Sequence, residues 1–348
     1  MPHSPRILFL PGPTAVGKSA LAMAMAEERG AAILSMDAMQ LYRGADIGTG
    51  KATSEERGRV LHGGLDLLNP GESFSVADYL RYAAAFLETC RAQGQPVIIA
   101  GGTGLYYRAL TRGLCEAPAT SEALRLELDA LPLEALQARL KRVDPEAVGA
   151  LPQSPDAISG CRSKSNGSSS PAALSSLPAF PALDLQNPRR VARAIAVVEM
   201  TGISLAEWQR RTPPPLLAPG TYATCLLIRD LGDLRERIRL RVHAMLQAGW
   251  VDEVRTLLVR HGTEALARFQ AIGYPEIAAW CVNDMLTGCS AAQSPPSTHP
   301  LPAEVVEQIV LDTQHYAKRQ LTWFRKELIV RQVNLSHSPI LNLQEWWT

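Results

Sequence analysis

The chain has 348 residues, with 35 Lys+Arg against 34 Asp+Glu and 46% apolar residues. That apolar share supports a packed core and excludes wholesale disorder, and the length suits two domains or one domain with a large insertion. A net charge of +1 reads against a nucleic-acid partner, which favours a basic excess, although a sum is blind to clusters.

In chain order, the predicted elements begin with the short apolar run Ile7-Leu8-Phe9-Leu10, which reads as a buried strand ending at Pro11-Gly12. Lys18 to Arg29 is rich in Ala, Leu and Met and predicts a helix, and Ala31 to Met36 a second strand closed by Asp37. Ser75 to Gly94 predicts a helix opened by a Ser75/Asp78 capping box. Val97-Ile98-Ile99-Ala100 is a further buried strand running into Gly101-Gly102-Thr103-Gly104. Strands alternating with helices imply a parallel α/β sheet.

From Ser121 to Val148 the pattern is helical, with Leu124, Leu126, Leu128, Leu131, Leu136 and Leu140 supplying apolar faces. Pro152 to Pro181 breaks all periodicity, and the Ser-rich run at 163–171 reads as a mobile loop that buries too little to offset its ordering entropy. Helical periodicity resumes from Pro188 to Arg211, and Thr221 to Ile228 reads as a last strand. Helices are expected over Leu234–Gln247, Val251–His261 and Glu304–Arg331, with a loop at Ser290–Pro302. The expected domains are a core over 1–118, a helical insertion over 119–212 containing a disordered loop near 152–184, and completion of the core over 213–348.

The six cysteines lack any C-x-x-C or Cys/His metal spacing and read as free thiols of a reducing compartment. No apolar run approaches the roughly 18 residues of a membrane span. Residues 1–6 lack the apolar stretch of a signal peptide, so the expected location is the cytoplasm, with no membrane partner.

Gly12-Pro13-Thr14-Ala15-Val16-Gly17-Lys18-Ser19 fits G-x-x-x-x-G-K-[ST] between a strand and a helix. Backbone N–H groups of such a loop cradle an anion, the lysine adds a point charge, and Ser19 is a candidate ligand for Mg²⁺. A Walker-B Asp is not evident, because the strand at 97–100 ends in Gly101-Gly102-Thr103 and Asp230 reads as a helix N-terminal residue. A pyrophosphate acting as leaving group therefore competes with a transferred phosphoryl. Asp37, after the second strand, sits where sheet C-termini gather ligands and is a candidate metal ligand, ribose partner or base.

The run Ser35 to Lys51, with the phosphate loop, resembles the tRNA dimethylallyltransferase family. The resemblance continues, in family order, at Gly101–Tyr106, Asn187–Ala194, Ala271–Tyr274 and Ala317–Arg325. It implies a P-loop NTPase-like sheet with a helical insertion, working as a monomer. It implies transfer of a dimethylallyl group from dimethylallyl diphosphate to N6 of the adenosine 3′ to the anticodon, in tRNAs that read codons beginning with U. Diphosphate then occupies Gly12–Ser19 with Mg²⁺, and Asp37 is the general base on the exocyclic amine. Thr103 faces the bridging oxygen and Arg241 meets the growing charge. Arg237 shares a helical face with Arg241, while Arg235, Arg237 and Arg239 read as a solvated basic face.

The same resemblance assigns tRNA contacts to Asp37, Ala38, Met39, Gln40 and Thr103, to Arg125, and to Arg189, Arg190, Val191, Ala192 and Arg193. It adds Gln270, Ala271, Ile272, Gly273 and Tyr274, and then Lys318, Arg319 and Arg325. Trp323 shares a face with Arg319 but reads as a core residue. The chain departs from the family at Ala38, where Ser is frequent, at Asn187, where Asp is common, and at Ala196, where Glu is common. The Ser-rich stretch looks inserted. The rival readings are a P-loop small-molecule kinase, a free-adenylate prenyltransferase and a catalytically silent RNA binder. The basic clusters at 187–211 and 318–326 favour tRNA.

Overall fold

The computed structural model describes residues 6–149, 183–287, 300–327 and 331–337. The Ser-rich stretch at 152–181 and most of the loop expected at 290–302 lie outside the described residues. The chain forms two compact units, Met1–Thr111 with Leu216–Thr348, and Arg112–Pro215.

The elements in order are β1 (Ile7–Pro11), α1 (Lys18–Arg29), β2 (Ala32–Ser35), α2 (Ser54–Arg59), β3 (His62–Gly63), α3 (Val76–Ala92), β4 (Val97–Gly101) and α4 (Gly104–Arg112). The helical unit contributes α5 (Glu122–Asp129), α6 (Leu133–Val143), α7 (Pro145–Gly149), α8 (Pro188–Thr201) and α9 (Leu205–Arg210). The chain then gives β5 (Tyr222–Thr224), β6 (Leu226–Ile228), α10 (Leu231–Gln247), α11 (Trp250–Arg268), α12 (Tyr274–Thr287), α13 (Ala303–Glu327) and β7 (Gln332–Asn334).

Five strands make one parallel sheet in the order β3-β2-β4-β1-β5. Alternation along its strands feeds two cores. Leu8, Leu10, Ile33 and Ile98 enter a cluster with residues of α1, α10, α11, α12 and α13. Phe9, Ala32, Leu34, Val97 and Ile99 enter another with residues of α3 and α4. A parallel sheet buried on both faces explains why these strands read as continuous apolar runs. The helical unit has its own core, built from Leu128, Leu136, Leu140, Val191, Ala194 and Ile195. Leu126, counted among its apolar residues, is 62% exposed.

Three sequence expectations require correction. The strand expected over Thr221–Ile228 is two strands in two sheets. Cys225 N–H donates to Phe9 O at 2.9 Å, whereas Leu226 N–H donates to Arg331 O at 3.1 Å, so pairing changes partner within one residue. β6 then pairs with β7, and Arg331, expected as the end of the final helix, lies outside it; α13 is described from Ala303 to Glu327. The helix expected over Val251–His261 ends where expected, because Gly262 (φ 78°, ψ 170°) is not helical, and α11 continues beyond that kink as a second helical stretch to Arg268. The periodicity over 188–211 is divided at Gly202, whose left-handed φ of 68° caps α8 before Ser204 opens α9. The short elements α2, β3 and α4, and the helix α12, were not anticipated.

Candidate active site

The phosphate loop follows β1 and has the left-handed residues such a turn demands, Ala15 at φ 61° and Gly17 at φ 109°. Gly17 caps α1, whose N-terminus has no side-chain cap and no acidic residue in its first turn. The helix end is therefore open to an anion. Two arginines hold the loop from outside. Arg229, paired with Asp233, donates from Nε to Val16 O at 2.8 Å, and Arg237 donates from Nε to Ala15 O at 3.1 Å. Arg237 thus braces the loop through its guanidinium, while its residue, like Arg235 and Arg239, is exposed. Gly12 is required because a Cβ there would lie 2.6 Å from Leu227 O.

Lys18 Nζ donates to Pro13 O at 2.7 Å across the loop. Burial pushes its ammonium down to about 7, opposed by Asp37 and reinforced by Arg241. The Arg241 guanidinium is likewise lowered by burial and supported by Asp37. Arg241 comes from α10 and lies against Gly50, where a Cβ would fall 2.2 Å from its Nη2. Two desolvated cations and one carboxylate thus gather beside an open helix N-terminus.

Asp37 leaves the end of β2, and its Oδ1 accepts the Met39 N–H at 2.9 Å, a local turn that fixes the carboxylate. Thr103 leaves the end of β4. Its N–H donates to Met36 O and its Oγ1 accepts the Ala38 N–H, both at 3.1 Å. With the oxygen occupied as an acceptor, the hydroxyl proton remains to be donated. Ala38 supplies this contact through its backbone, so the departure from Ser leaves it intact. Gln40 accepts from Ser35 Oγ at 2.8 Å and donates to Gly50 O at 3.1 Å, tying the Asp37 segment to the strip beside Arg241. A cavity reaches from Ser19 and Met23 of α1 past Ser35 and Gln40 to His62.

The fit of Mg²⁺ rests on donor chemistry. Ser19 is exposed in the first turn of α1, and among the described residues no cluster of three or more His, Cys, Asp or Glu could hold an ion. That donor set suits a cation bound largely by substrate phosphates and water with one hydroxyl from the chain.

The other assigned residues divide sharply. Arg125, Arg189, Arg190, Gln270, Lys318, Arg319 and Arg325 are exposed. Val191 and Ala192 are buried in the helical unit's core. Arg193 is spent internally, donating to Pro118 O at 2.7 Å and to Thr120 Oγ1 and Ala117 O at 3.0 Å. Ala271, Gly273 and Tyr274 are buried and Ile272 half-buried. Tyr274 donates its hydroxyl to Glu253 Oε1 at 2.6 Å, and Glu253 also accepts the N–H groups of Asp46, Ile47 and Gly48. The 271–274 block therefore supports the Asp46–Gly50 segment through Glu253. Sequence reasoning missed Glu253, Arg229, Tyr316 and Gln320. Tyr316 is half-buried near Asp37, and desolvation pushes its phenol up. Trp323 is half-buried against Gly104 with the Arg108 guanidinium 5.3 Å from its ring.

Comparison with known proteins follows the same blocks. The sequence model of a family described as IPP transferase matches residues 40–156 and 176–327, and one described as Isopentenyl transferase matches 5–61. A tRNA dimethylallyltransferase of Methylacidiphilum infernorum is 35% identical over 322 residues, covering 92% of this chain and 83% of its own. A crystal structure of a tRNA isopentenylpyrophosphate transferase from Bacillus halodurans superposes with a TM-score of 0.60 at 27% identity, covering 98% of this chain and 93% of that one. A eukaryotic dimethylallyltransferase acting on tRNA shares the fold, with a TM-score of 0.69 at 18% identity, over 98% of this chain and 75% of its own.

Proposed function

The chain belongs to the IPP transferase family of tRNA-prenylating enzymes, and we propose on that premise that it moves a dimethylallyl group from dimethylallyl diphosphate to N6 of the adenosine 3′ to the anticodon, in tRNAs reading codons that begin with U. The observation that carries this reading is the convergence of Lys18, Arg241 and Asp37 beside the open N-terminus of α1.

Gly12–Ser19 binds the diphosphate through backbone N–H groups. The terminal phosphates face Lys18 and Arg241, the two desolvated cations. Ser19 would hold Mg²⁺, and the ion would supply positive charge that offsets part of the diphosphate's. Asp37 accepts a proton from the exocyclic N6 amine as its nitrogen forms a bond to the allylic C1. The C1–O bond breaks in the same event, and its electron pair leaves with the diphosphate. Thr103 donates its hydroxyl proton toward the bridging oxygen. The positive side chains meet charge that grows only in the transition state, which is where such groups lower the barrier most. The acceptor base must leave its stack to reach Asp37, at low cost in a single-stranded anticodon loop.

Given unmodified tRNA, Mg²⁺ and dimethylallyl diphosphate, the protein yields N6-dimethylallyladenosine in the digested nucleosides, and one diphosphate per modified base. Equal prenylation of free AMP, or hydrolysis of ATP with no prenyl product, overturns the assignment.

A further inference from the structure

Helix α13 turns Gln320, Trp323, Phe324 and Glu327 inward, a row spaced by three and four residues. Glu327 pairs with Arg108 of α4, and a Cβ on Gly104 would come within 2.3 Å of the Trp323 ring. Gln320, only 7% exposed, uses both ends of its carboxamide. Its Oε1 accepts the Thr14 N–H at 2.8 Å, and its Nε2 donates to Gly102 O at 3.0 Å. A Cβ on Gly102 would lie 2.0 Å from that nitrogen, so the glycine leaves the space the amide fills. Thr14 belongs to the phosphate loop, and Gly102 immediately precedes Thr103.

The geometry points to Gln320 as a positioning residue for prenyl transfer. Its carboxamide locks the phosphate loop to the Gly101–Thr103 turn, and so fixes the departing diphosphate relative to the Thr103 hydroxyl and the Asp37 carboxylate. The inference rests on the reading of Gly12–Ser19 as the diphosphate cradle. A neutral amide suits the task, because it offers an acceptor and a donor in one plane without placing charge beside an anion. A carboxylate of the same shape keeps the bond from Thr14, loses the donor to Gly102 and repels the ligand. An apolar chain of similar length makes neither bond. Loss of alignment on the scale of one ångström slows an oriented reaction by about 10²-fold.

The test uses the full chain with Gln320→Met, Gln320→Glu and Gly102→Ala. Gln320→Met lowers kcat roughly 10- to 100-fold while KM for tRNA stays within about twofold. Inorganic diphosphate, titrated calorimetrically, binds several-fold more weakly to Gln320→Met and more weakly still to Gln320→Glu. Gly102→Ala displaces the amide from the opposite side and reproduces the kcat loss. Combining it with Gln320→Met slows transfer no further than the worse single change, because both break one linkage. Wild-type kcat and diphosphate affinity in both Gln320 variants overturn the assignment. So does a kcat loss that merely follows falls in melting temperature and tRNA affinity. If the unaltered protein binds diphosphate but transfers no prenyl group to tRNA, the proposed reaction fails, and the diphosphate titrations alone decide the role of Gln320.

Discussion

At the scale of single residues, the site depends on two charges of opposite sign. Asp37→Ala removes the proton acceptor and slows transfer by about 10²–10⁴-fold, with tRNA affinity retained; single-turnover rates beside tRNA binding isotherms check this. Lys18 gives a pH signature. Its folded-state pKa of about 7 lies below the ordinary lysine value of 10.5, so between those values the unfolded chain binds more protons than the folded one. Stability of the ligand-free protein therefore rises with pH from about 7 toward 10.5, and the cost of burying the ammonium is fully present below that window. Chemical denaturation across this range detects the rise, and Lys18→Met abolishes it. Diphosphate has the converse effect, since it recruits the protonated form, and binding near pH 8 takes up protons from the buffer. Calorimetry in buffers of differing ionisation enthalpy measures that uptake. The motif made Lys18 and Ser19 legible in sequence, and Asp37, Thr103 and Arg241 were legible through resemblance. Gln320 and Glu253 were not, because their partners lie 218 to 306 and about 205 residues away in the chain, where no local pattern reaches. Tyr274 shows the converse limit: a block can match a family and still face the core.

At the scale of elements, caps and strand runs were legible because their causes are local. The Ser75/Asp78 box opens α3 as expected. Asn187 caps α8, its side-chain oxygen accepting the Arg190 N–H at 3.3 Å. Asn and Asp are comparable N-caps, so the departure from Asp costs little. Asn187→Ala destabilises the helical unit by about 1 kcal/mol, whereas Asn187→Asp stays within a few tenths or gains slightly from the helix dipole. Hydrogen exchange of the α8 amides resolves the two. Errors arose where a tertiary partner overrode a continuous pattern. Residues 221–228 are uniformly strand-like, and only the competition between Phe9 and Arg331 for adjacent N–H groups divides them. Likewise β7 forms because β6 offers it a parallel edge, which the helical composition upstream of 331 does not foretell. Gly262 breaks α11 where the sequence ended its helix, and what the sequence left out is the second helical stretch that follows to Arg268.

At the scale of the whole molecule, the net charge of +1 conceals the distribution that matters to RNA. Each compact unit presents exposed arginines or lysines of its own, Arg189 and Arg190 on α8, and Lys318, Arg319 and Arg325 on α13. Other basic residues of the same blocks are committed to the fold. The guanidinium of Arg193 is occupied by three oxygens of the segment 117–120, and burial pulls its pKa down. Replacing a cation that contacts a phosphate should lower the slope of log affinity against log salt by about 0.7 to 0.9, because one fewer counterion is released. Replacing one that serves the fold should not. Accordingly, Lys318→Ala and Arg189→Ala weaken tRNA binding and flatten its salt dependence, with unfolding midpoints unchanged. Arg193→Ala instead lowers the stability of the helical unit by about 1–3 kcal/mol, since it leaves three acceptors without their donor. Its salt slope, measured on the fraction that remains folded, stays that of the unaltered chain. Filter binding over 50 to 200 mM salt, paired with urea unfolding of each variant, separates the two kinds of arginine. A flattened slope in Arg193→Ala would place its guanidinium on RNA and remove it from the fold.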